Sequence, residues 1–357
     1  MKTPTPHAFA LFSGGLDSIL AARLIMEQGL VVRCLHFVTP FFGKPQLIPH
    51  WEKIYGLEIE AVDVSEAFVR LLRERPPHGF GKVMNPCVDC KILMMRKARE
   101  IMKGRGASFL ISGEVLGQRP MSQRRDTLNV IRRDAEVREE LLRPLSAQHL
   151  DPTAAELSGL VDRSRLLGIF GRGRKDQMAL AERMGLTEIP TPAGGCKLAE
   201  KENARRYWPV LTLLDDPAVE DFELSNIGRQ YWAGKHWLSM GRNESDNAAL
   251  ERLVRPGDAI LRVRDFPSPF ALARQITPWD AATLQDAAGL VASYSPKGVR
   301  AAASSPDGTV TVRVQISGES TFVNVAPRRI PDLPWGEPEF VDVRKAIKAE
   351  NRPTFDE

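Results

Sequence analysis

The chain has 357 residues, 43% of them hydrophobic and 26% charged, with a formal net charge of +4. This is an ordinary globular composition, long enough for roughly two or three domains, and it excludes a disordered, collagenous or disulfide-scaffold protein. No stretch of 18 uncharged apolar residues occurs, and residues 1–9 lack the apolar core of a signal peptide, so a cytoplasmic protein without a transmembrane helix is expected. The charge is unevenly spread. Residues 69–105 hold ten Lys/Arg against three Asp/Glu, and residues 163–175 hold five bases and no acid. Residues 223–357 balance at 17 of each sign. A basic surface in the first two thirds could meet a polyanion such as nucleic acid, or be a solvated helix face.

Along the first 115 residues strand and helix patterns alternate. Residues 7–12 read as a strand, 17–28 as a helix with Ile19, Leu20, Leu24 and Ile25 at helical spacing, and 31–37 and 57–64 as further strands. A helix starts at Ser65 and stops before Pro76, another covers 88–102, and 108–112 is a fourth strand. Alternating β and α units predict an α/β fold with a doubly wound parallel sheet. Residues 116–150 are polar and Arg-rich and end in a strand-like run at 141–145. Residues 151–190 read as largely helical, clearest at 175–184, and 190–195 as a loop. Beyond about residue 210 the texture changes: five of the six tryptophans lie from Trp208 on, and strand patterns recur at 259–264 and 309–316. The expected organisation is a catalytic domain over 1–200, a linker over 201–222, a smaller α+β module over 223–345 and a tail over 346–357.

The most informative segment is Ser13-Gly14-Gly15-Leu16-Asp17-Ser18, between the first strand and the first helix. Two glycines let the backbone approach a phosphate, helix-start N–H groups face the anion, and Ser13 and Ser18 can add hydroxyl donors. Asp17 would repel phosphate, so its expected task is to hold Mg²⁺ or to fix the loop. The Gly-Lys-Ser/Thr ending of kinase-type P-loops is absent. The pattern resembles the PP-loop of the N-type ATP pyrophosphatases (the adenine nucleotide alpha hydrolase, or HUP-like, fold). Those enzymes split ATP between its α- and β-phosphates and adenylate a carbonyl oxygen.

Four cysteines are present. Cys87 and Cys90 form a C-x-x-C at the start of a predicted helix, which can serve as a redox pair, half a zinc site or two thiols of an iron–sulfur cluster. Cys196, in a Gly-Gly-Cys loop, is the candidate third ligand, and three thiolates suit a [4Fe–4S] cluster with one open iron. Cys34 lies mid-strand and reads as a buried structural thiol. His36, near the carboxyl end of the second strand, is a candidate nucleotide contact or a structural histidine.

Residues 112–118 (Ser-Gly-Glu-Val-Leu-Gly-Gln), then Ser122-Gln123 and Leu142-Arg143-Pro144-Leu145, resemble the catalytic domain of the tRNA 4-thiouridine synthetases over about residues 7–200. The resemblance implies that Ser112, Gly113 and Glu114 line the nucleotide site beside Ser13, Gly14, Gly15, Asp17, Ser18 and His36. It implies ATP-dependent tRNA thiolation, with Asp17, Cys87, Cys90 and Cys196 catalytic and the three cysteines holding the cluster. ATP, Mg²⁺, tRNA and a sulfur donor (sulfide or a cysteine desulfurase) are the expected cofactors and partners; oligomeric state is left open, a dimer included. Alternatives are a cluster-independent persulfide 2-thiouridylase using Cys87 and Cys196, a sulfurtransferase acting on a small molecule, or a non-catalytic RNA-binding factor. The phosphate loop begins at residue 13, leaving no room for that family's N-terminal tRNA-binding domains, so RNA binding is expected to fall to the body or to the C-terminal module. Within that module Gly241-Arg242-Asn243, with Asn247 four positions on, resembles the RNA-binding domain of NFACT-type ribosome quality-control proteins.

Overall fold

The computed structural model describes residues 5–119, 122–190 and 195–351. Its contacts divide the chain into two compact units, Met1–Ala199 and Glu200–Glu357.

The first unit runs β1 (Ala8–Leu11), α1 (Leu16–Met26), β2 (Val32–Val38), α2 (Ile48–Tyr55), β3 (Glu58–Asp63), α3 (Ser65–Arg73), α4 (Cys87–Gly104), β4 (Phe109–Ser112), α5 (Arg125–Asp134), β5 (Leu141–Leu142), α6 (Ala154–Leu157) and α7 (Lys175–Arg183). Its sheet is all parallel, in the order β3-β2-β1-β4-β5. The central strands are apolar on both sides because both faces are covered. Ala8 and Ala10 of β1 face a core built with α1, α7 and Trp51, whereas Phe9 faces Met95, Ala98 and Met102 of α4 and Ile131 of α5. The α/β class expected from the sequence is the one observed.

Two local readings are corrected. The polar stretch 116–150 contains α5, which buries only Leu128 and Ile131 and so carries little periodic signal. Residues 151–190 are mostly irregular before α7. Side chains tie this segment to the turn before it: Arg163 donates to the carbonyls of Ala147 and Leu150, and Gln148 to that of Leu166. Residues 191–194 of the expected loop lie outside the described residues.

The second unit comprises α8 (Lys201–Leu213), α9 (Val219–Ser225), β6 (Arg229–Ala233), β7 (His236–Met240), α10 (Glu244–Arg252), β8 (Ala259–Val263), β9 (Ala271–Arg274), α11 (Ala281–Ala292), α12 (Pro296–Ser304), β10 (Val310–Ile316), β11 (Glu319–Val325) and α13 (Phe340–Glu350). Its sheet is antiparallel, ordered β11-β10-β8-β9-β7-β6. The expected linker, 201–222, is instead helical. α8 buries Tyr207, Trp208, Val210 and Leu211, and an apolar face of that size must be packed. The expected tail is helical as far as Glu350, with Val343 and Ile347 of α13 buried and α13 packed on α8; residues 352–357 lie outside the described residues. No helix among the described residues is long and apolar enough to cross a membrane.

Candidate active site

In a sheet ordered β3-β2-β1-β4-β5 the strand order reverses between β1 and β4, and an open α/β sheet opens a crevice at the carboxyl ends of such strands. The phosphate loop follows β1 and residues 112–118 follow β4, so both meet there. Two glycines are required by this geometry. Gly14 has φ of +77°, and a Cβ on it would come within 2.7 Å of the Trp51 indole. A Cβ on Gly113 would come within 2.6 Å of the backbone of Asp17 and Ser18, so only glycine lets the end of β4 press on the first turn of α1. The Ser18 hydroxyl is turned inward and donates to the Gly15 carbonyl at 2.7 Å, so it shapes the loop. Ser13 remains half of a loose pair, its Oγ 3.4 Å from the Gly15 amide.

Asp17 is the unusual group. Its Oδ2 accepts from Gln118 Nε2 at 3.1 Å, but its Oδ1 is buried and accepts nothing. Burial raises the Asp17 carboxyl above its ordinary value, opposed by Gln118, Arg174, Arg119 and Gln177. Several of these neighbours also have unsatisfied buried atoms: Gln118 Oε1, Arg174 Nε and both amide atoms of Gln177. Such groups are rare in ordinary interiors and concentrate where a ligand completes them. Sequence reasoning missed Arg119, Arg174 and Gln177. A signal existed at the start of α7, where Arg174 is the N-cap and Lys175 the first helical residue: cations there oppose the helix dipole.

Two candidate nucleotide contacts have their polar atoms engaged by protein groups. Both ring nitrogens of His36 are committed: Nδ1 donates to the Phe12 carbonyl at 3.0 Å and Nε2 accepts from the Lys44 amide at 2.8 Å. Burial lowers its pKa, so the neutral ring that this pair of bonds needs is favoured. His36 buttresses the loop from below. Glu114 is likewise occupied, one carboxylate oxygen by Lys91 and the other by Arg143 at 3.0 Å. Burial would raise Glu114, but Lys91 and Arg143 outweigh it and hold the carboxyl down at about 2. Ser112 Oγ accepts from the Glu114 amide at 3.3 Å, which braces the same turn.

The charge of Cys196 is felt at Cys90, whereas Cys34 lies buried in β2. Cys87 and Cys90 form the first turn of α4. The loop before them is stitched to the segment after Cys196, the Met84 amide donating to the Leu198 carbonyl at 3.1 Å, while the Lys197 amide reaches Phe41 at 2.9 Å. Burial pushes the Cys90 thiol well above its ordinary value, and the negative charges of Cys196 and Cys87 push it further, with Lys91 opposing. Three thiols that repel one another as anions form a donor set that iron would neutralise. Asn85 Nδ2 donates to Cys87 Sγ at 3.0 Å, and buried Asp89, between the two cysteines, is held by the His78 ring at 2.7 Å. Among the described residues no group of three or more His, Cys, Asp or Glu is arranged to hold a metal ion. Cys34 is buried in β2 and burial pushes its thiol up to about 12. Lys91 of α4 meets Glu114, and Gly113 lies against Asp17, so residues 113–114 join α4 to the phosphate loop.

Much of the basic charge at 69–105 and 119–143 is neutralised. Arg105 forks onto Glu60, Arg99 pairs with Glu136 and Glu140, and Arg132 with Asp151. Arg119 and Arg174 instead lie near Asp17.

A strand–Gly-Gly–helix turn carrying an aspartate thus sits at the switch point of a parallel sheet, where such a fold binds its ligand. Comparison with known proteins is more particular. Residues 5–151 match the family model described as "ThiI: Thiamine biosynthesis protein (ThiI)". A "Probable tRNA sulfurtransferase" of Thermococcus kodakarensis is 32% identical over 117 residues, 30% of this chain and 29% of the relative. Another, of Methanosarcina mazei, is 34% identical over 116 residues, 30% of this chain and 28% of that protein. The match thus spans less than a third of the length of these curated relatives. Among solved structures, the U34-tRNA thiolase NcsA from Methanococcus maripaludis with its [4Fe-4S] cluster aligns at 15% identity and a TM-score of 0.30, over 58% of this chain and 69% of that one; a likeness this loose carries no structural argument.

Proposed function

We propose that the chain is an ATP-dependent tRNA thiolase. The observation that carries this reading is the glycine-rich turn at the switch point of the sheet, with the buried, unsatisfied Asp17 Oδ1 under the influence of Arg119 and Arg174. The reaction it fits has two displacements. A uridine carbonyl oxygen attacks the α-phosphorus of ATP and pyrophosphate leaves; sulfur then attacks the activated ring carbon and AMP departs with the former carbonyl oxygen. The loop amides of Gly14 and Gly15 and the guanidinium groups of Arg174 and Arg119 would take the phosphate charge. Asp17 Oδ1, buried and without a donor, is the atom that would face Mg²⁺. Arg174→Ala is expected to lower kcat/KM for ATP about a hundredfold, read from AMP formation.

Cys87, Cys90 and Cys196 would hold the cluster; bound there, it would supply an open iron that carries sulfide. The chain's part is to keep that sulfur beside the electrophile, which lowers the entropic barrier. The test is anaerobic purification with iron and acid-labile sulfide counted. About four irons per chain are expected, lost in Cys87→Ser, Cys90→Ser and Cys196→Ser and retained in Cys34→Ser. Iron loss in Cys34→Ser, or a full complement in the other three, overturns the ligand set. Absence of iron after anaerobic reconstitution, with tRNA thiolation intact, replaces it with a persulfide mechanism. The exposed Cys87, to which Asn85 donates, would then be the thiol to trap.

A further inference from the structure

The sheet of the second unit is closed on one side by α11 and α12, while α10 covers only β7 and β9 on the other. The uncovered end of that second side carries an unusual row. Ala259, Leu261 and Val263 of β8 are buried, which turns Arg262 and Arg264 to the opposite face. Antiparallel register sets Arg262 across from Arg313 of β10, and Arg313 across from Phe322 of β11. Like charges directly opposite destabilise a sheet. The structure relieves them little. Glu251 lies 3.5 Å from Arg262 and Asp265 lies 3.7 Å from Arg264, but both pairs are exposed and weak. Arg313 has no acid partner among the described residues. The surrounding segment is electrically balanced, so this is a local concentration of charge rather than a by-product of a basic domain.

The arginines are also stacked. The Arg264 guanidinium lies 4.9 Å from the centre of the Phe322 ring, and Arg262 lies 4.6 Å from that of Phe270. Stacking orients a guanidinium and leaves its N–H edges for a phosphate. Phe322 is 54% exposed, a large ring held on an edge strand. Arg262, Arg264, Arg313, Phe266 and Ser268 line a groove of about 340 Å³. The Gly241-Arg242-Asn243 stretch finds its place here as a support. Asn247 Oδ1 accepts from the Phe270 amide at 3.0 Å and the Gly241 amide donates to the Phe270 carbonyl at 3.0 Å, fixing the ring beneath Arg262. Arg242 is itself paired with Asp246 at 2.7 Å.

We propose that this face binds a single-stranded stretch of RNA, its phosphates on Arg262, Arg264 and Arg313 and an unstacked base on Phe322. The exposed ring beside the arginine row favours a nucleobase-bearing polyanion over an acidic protein, because bases stack on such a platform and carboxylates do not. The assignment is independent of the reaction carried out by the first unit.

The full-length chain is titrated with a labelled single-stranded RNA oligonucleotide and, separately, with inorganic polyphosphate, which carries the charge without bases. Arg313→Ala and the double variant Arg262→Ala/Arg264→Ala should weaken both ligands and reduce the salt dependence of RNA binding by about 0.7 per lost phosphate contact. Phe322→Leu, which keeps an apolar side chain but removes the ring, should weaken RNA roughly tenfold and leave polyphosphate unchanged. Hydrogen exchange should show β10 and β11 protected by RNA. Parent-like RNA affinity in the arginine variants, or no protection of β10 and β11, overturns the site. Arginine effects with parent-like RNA affinity in Phe322→Leu overturn the RNA assignment in favour of a general anion surface.

Discussion

Asp17→Asn should abolish AMP formation while leaving the fold at least as stable as the parent. The two effects have one cause. Asp17 is held at the first turn of α1 with Oδ1 buried and unpartnered, and burial raises its carboxyl above the ordinary value. A carboxyl whose folded value is raised binds its proton more tightly in the native state, so stability falls as pH rises through that window and the ionised form is a cost at neutral pH. Asparagine keeps the Gln118 contact within reach and removes the charge. Unfolding midpoints at pH 7 should therefore be equal or higher, and the gap between variant and parent should shrink as pH falls toward the carboxylate range. Turnover should drop about a thousandfold or more, because a neutral amide neither attracts a divalent cation nor balances Arg174 and Arg119. Iron content should match the parent, since the three cysteines are untouched. A variant that is destabilised at pH 7 yet still makes AMP would show that Asp17 only fixes the loop.

What the sequence disclosed and what it hid follow from the range of the interactions. The phosphate loop is written in six consecutive residues, and strand-to-helix context is local, so it was legible. The electrostatic link between Cys90 and Cys196 spans more than a hundred positions, so no local pattern could reveal it. The hydrogen bonds of His36 and Glu114 were not legible because their partners are distant or carry no pattern. His36 is tied to the Phe12 carbonyl and the Lys44 amide, backbone groups with no residue identity. Glu114 is neutralised by Lys91 and Arg143, 23 and 29 positions away. The polar cluster around Asp17 was equally hidden, since α7, which carries Gln177, reaches it only through its packing on α1. Short elements such as α2, with only Trp51 and Tyr55 buried, give too few periodic positions to be read.

Glu114 carries the second large effect. Its carboxylate joins Lys91 of α4 to Arg143 after β5 across the end of β4, with Glu114 and Arg143 nearly inaccessible. Removing one member of a buried charge cluster leaves the others uncompensated, at a cost of about 3–5 kcal/mol, whereas replacing the whole cluster by apolar groups is often near neutral. Glu114→Ala should therefore unfold at markedly lower urea than the parent, and Lys91→Met/Glu114→Leu/Arg143→Met should recover most of the loss. The pH dependence has a definite sign. Because the folded carboxyl sits at about 2, below its ordinary value of 4.5, its contribution is fully present above about pH 4.5 and is lost as pH falls from there toward 2. The parent should lose stability through that window by an increment that Glu114→Ala lacks. If Glu114 instead met the nucleotide directly, its removal would spare stability and raise only the KM for ATP. Urea titrations at pH 7, 4 and 3, set beside ATP saturation curves, separate a brace between α4 and the end of the sheet from a ligand contact.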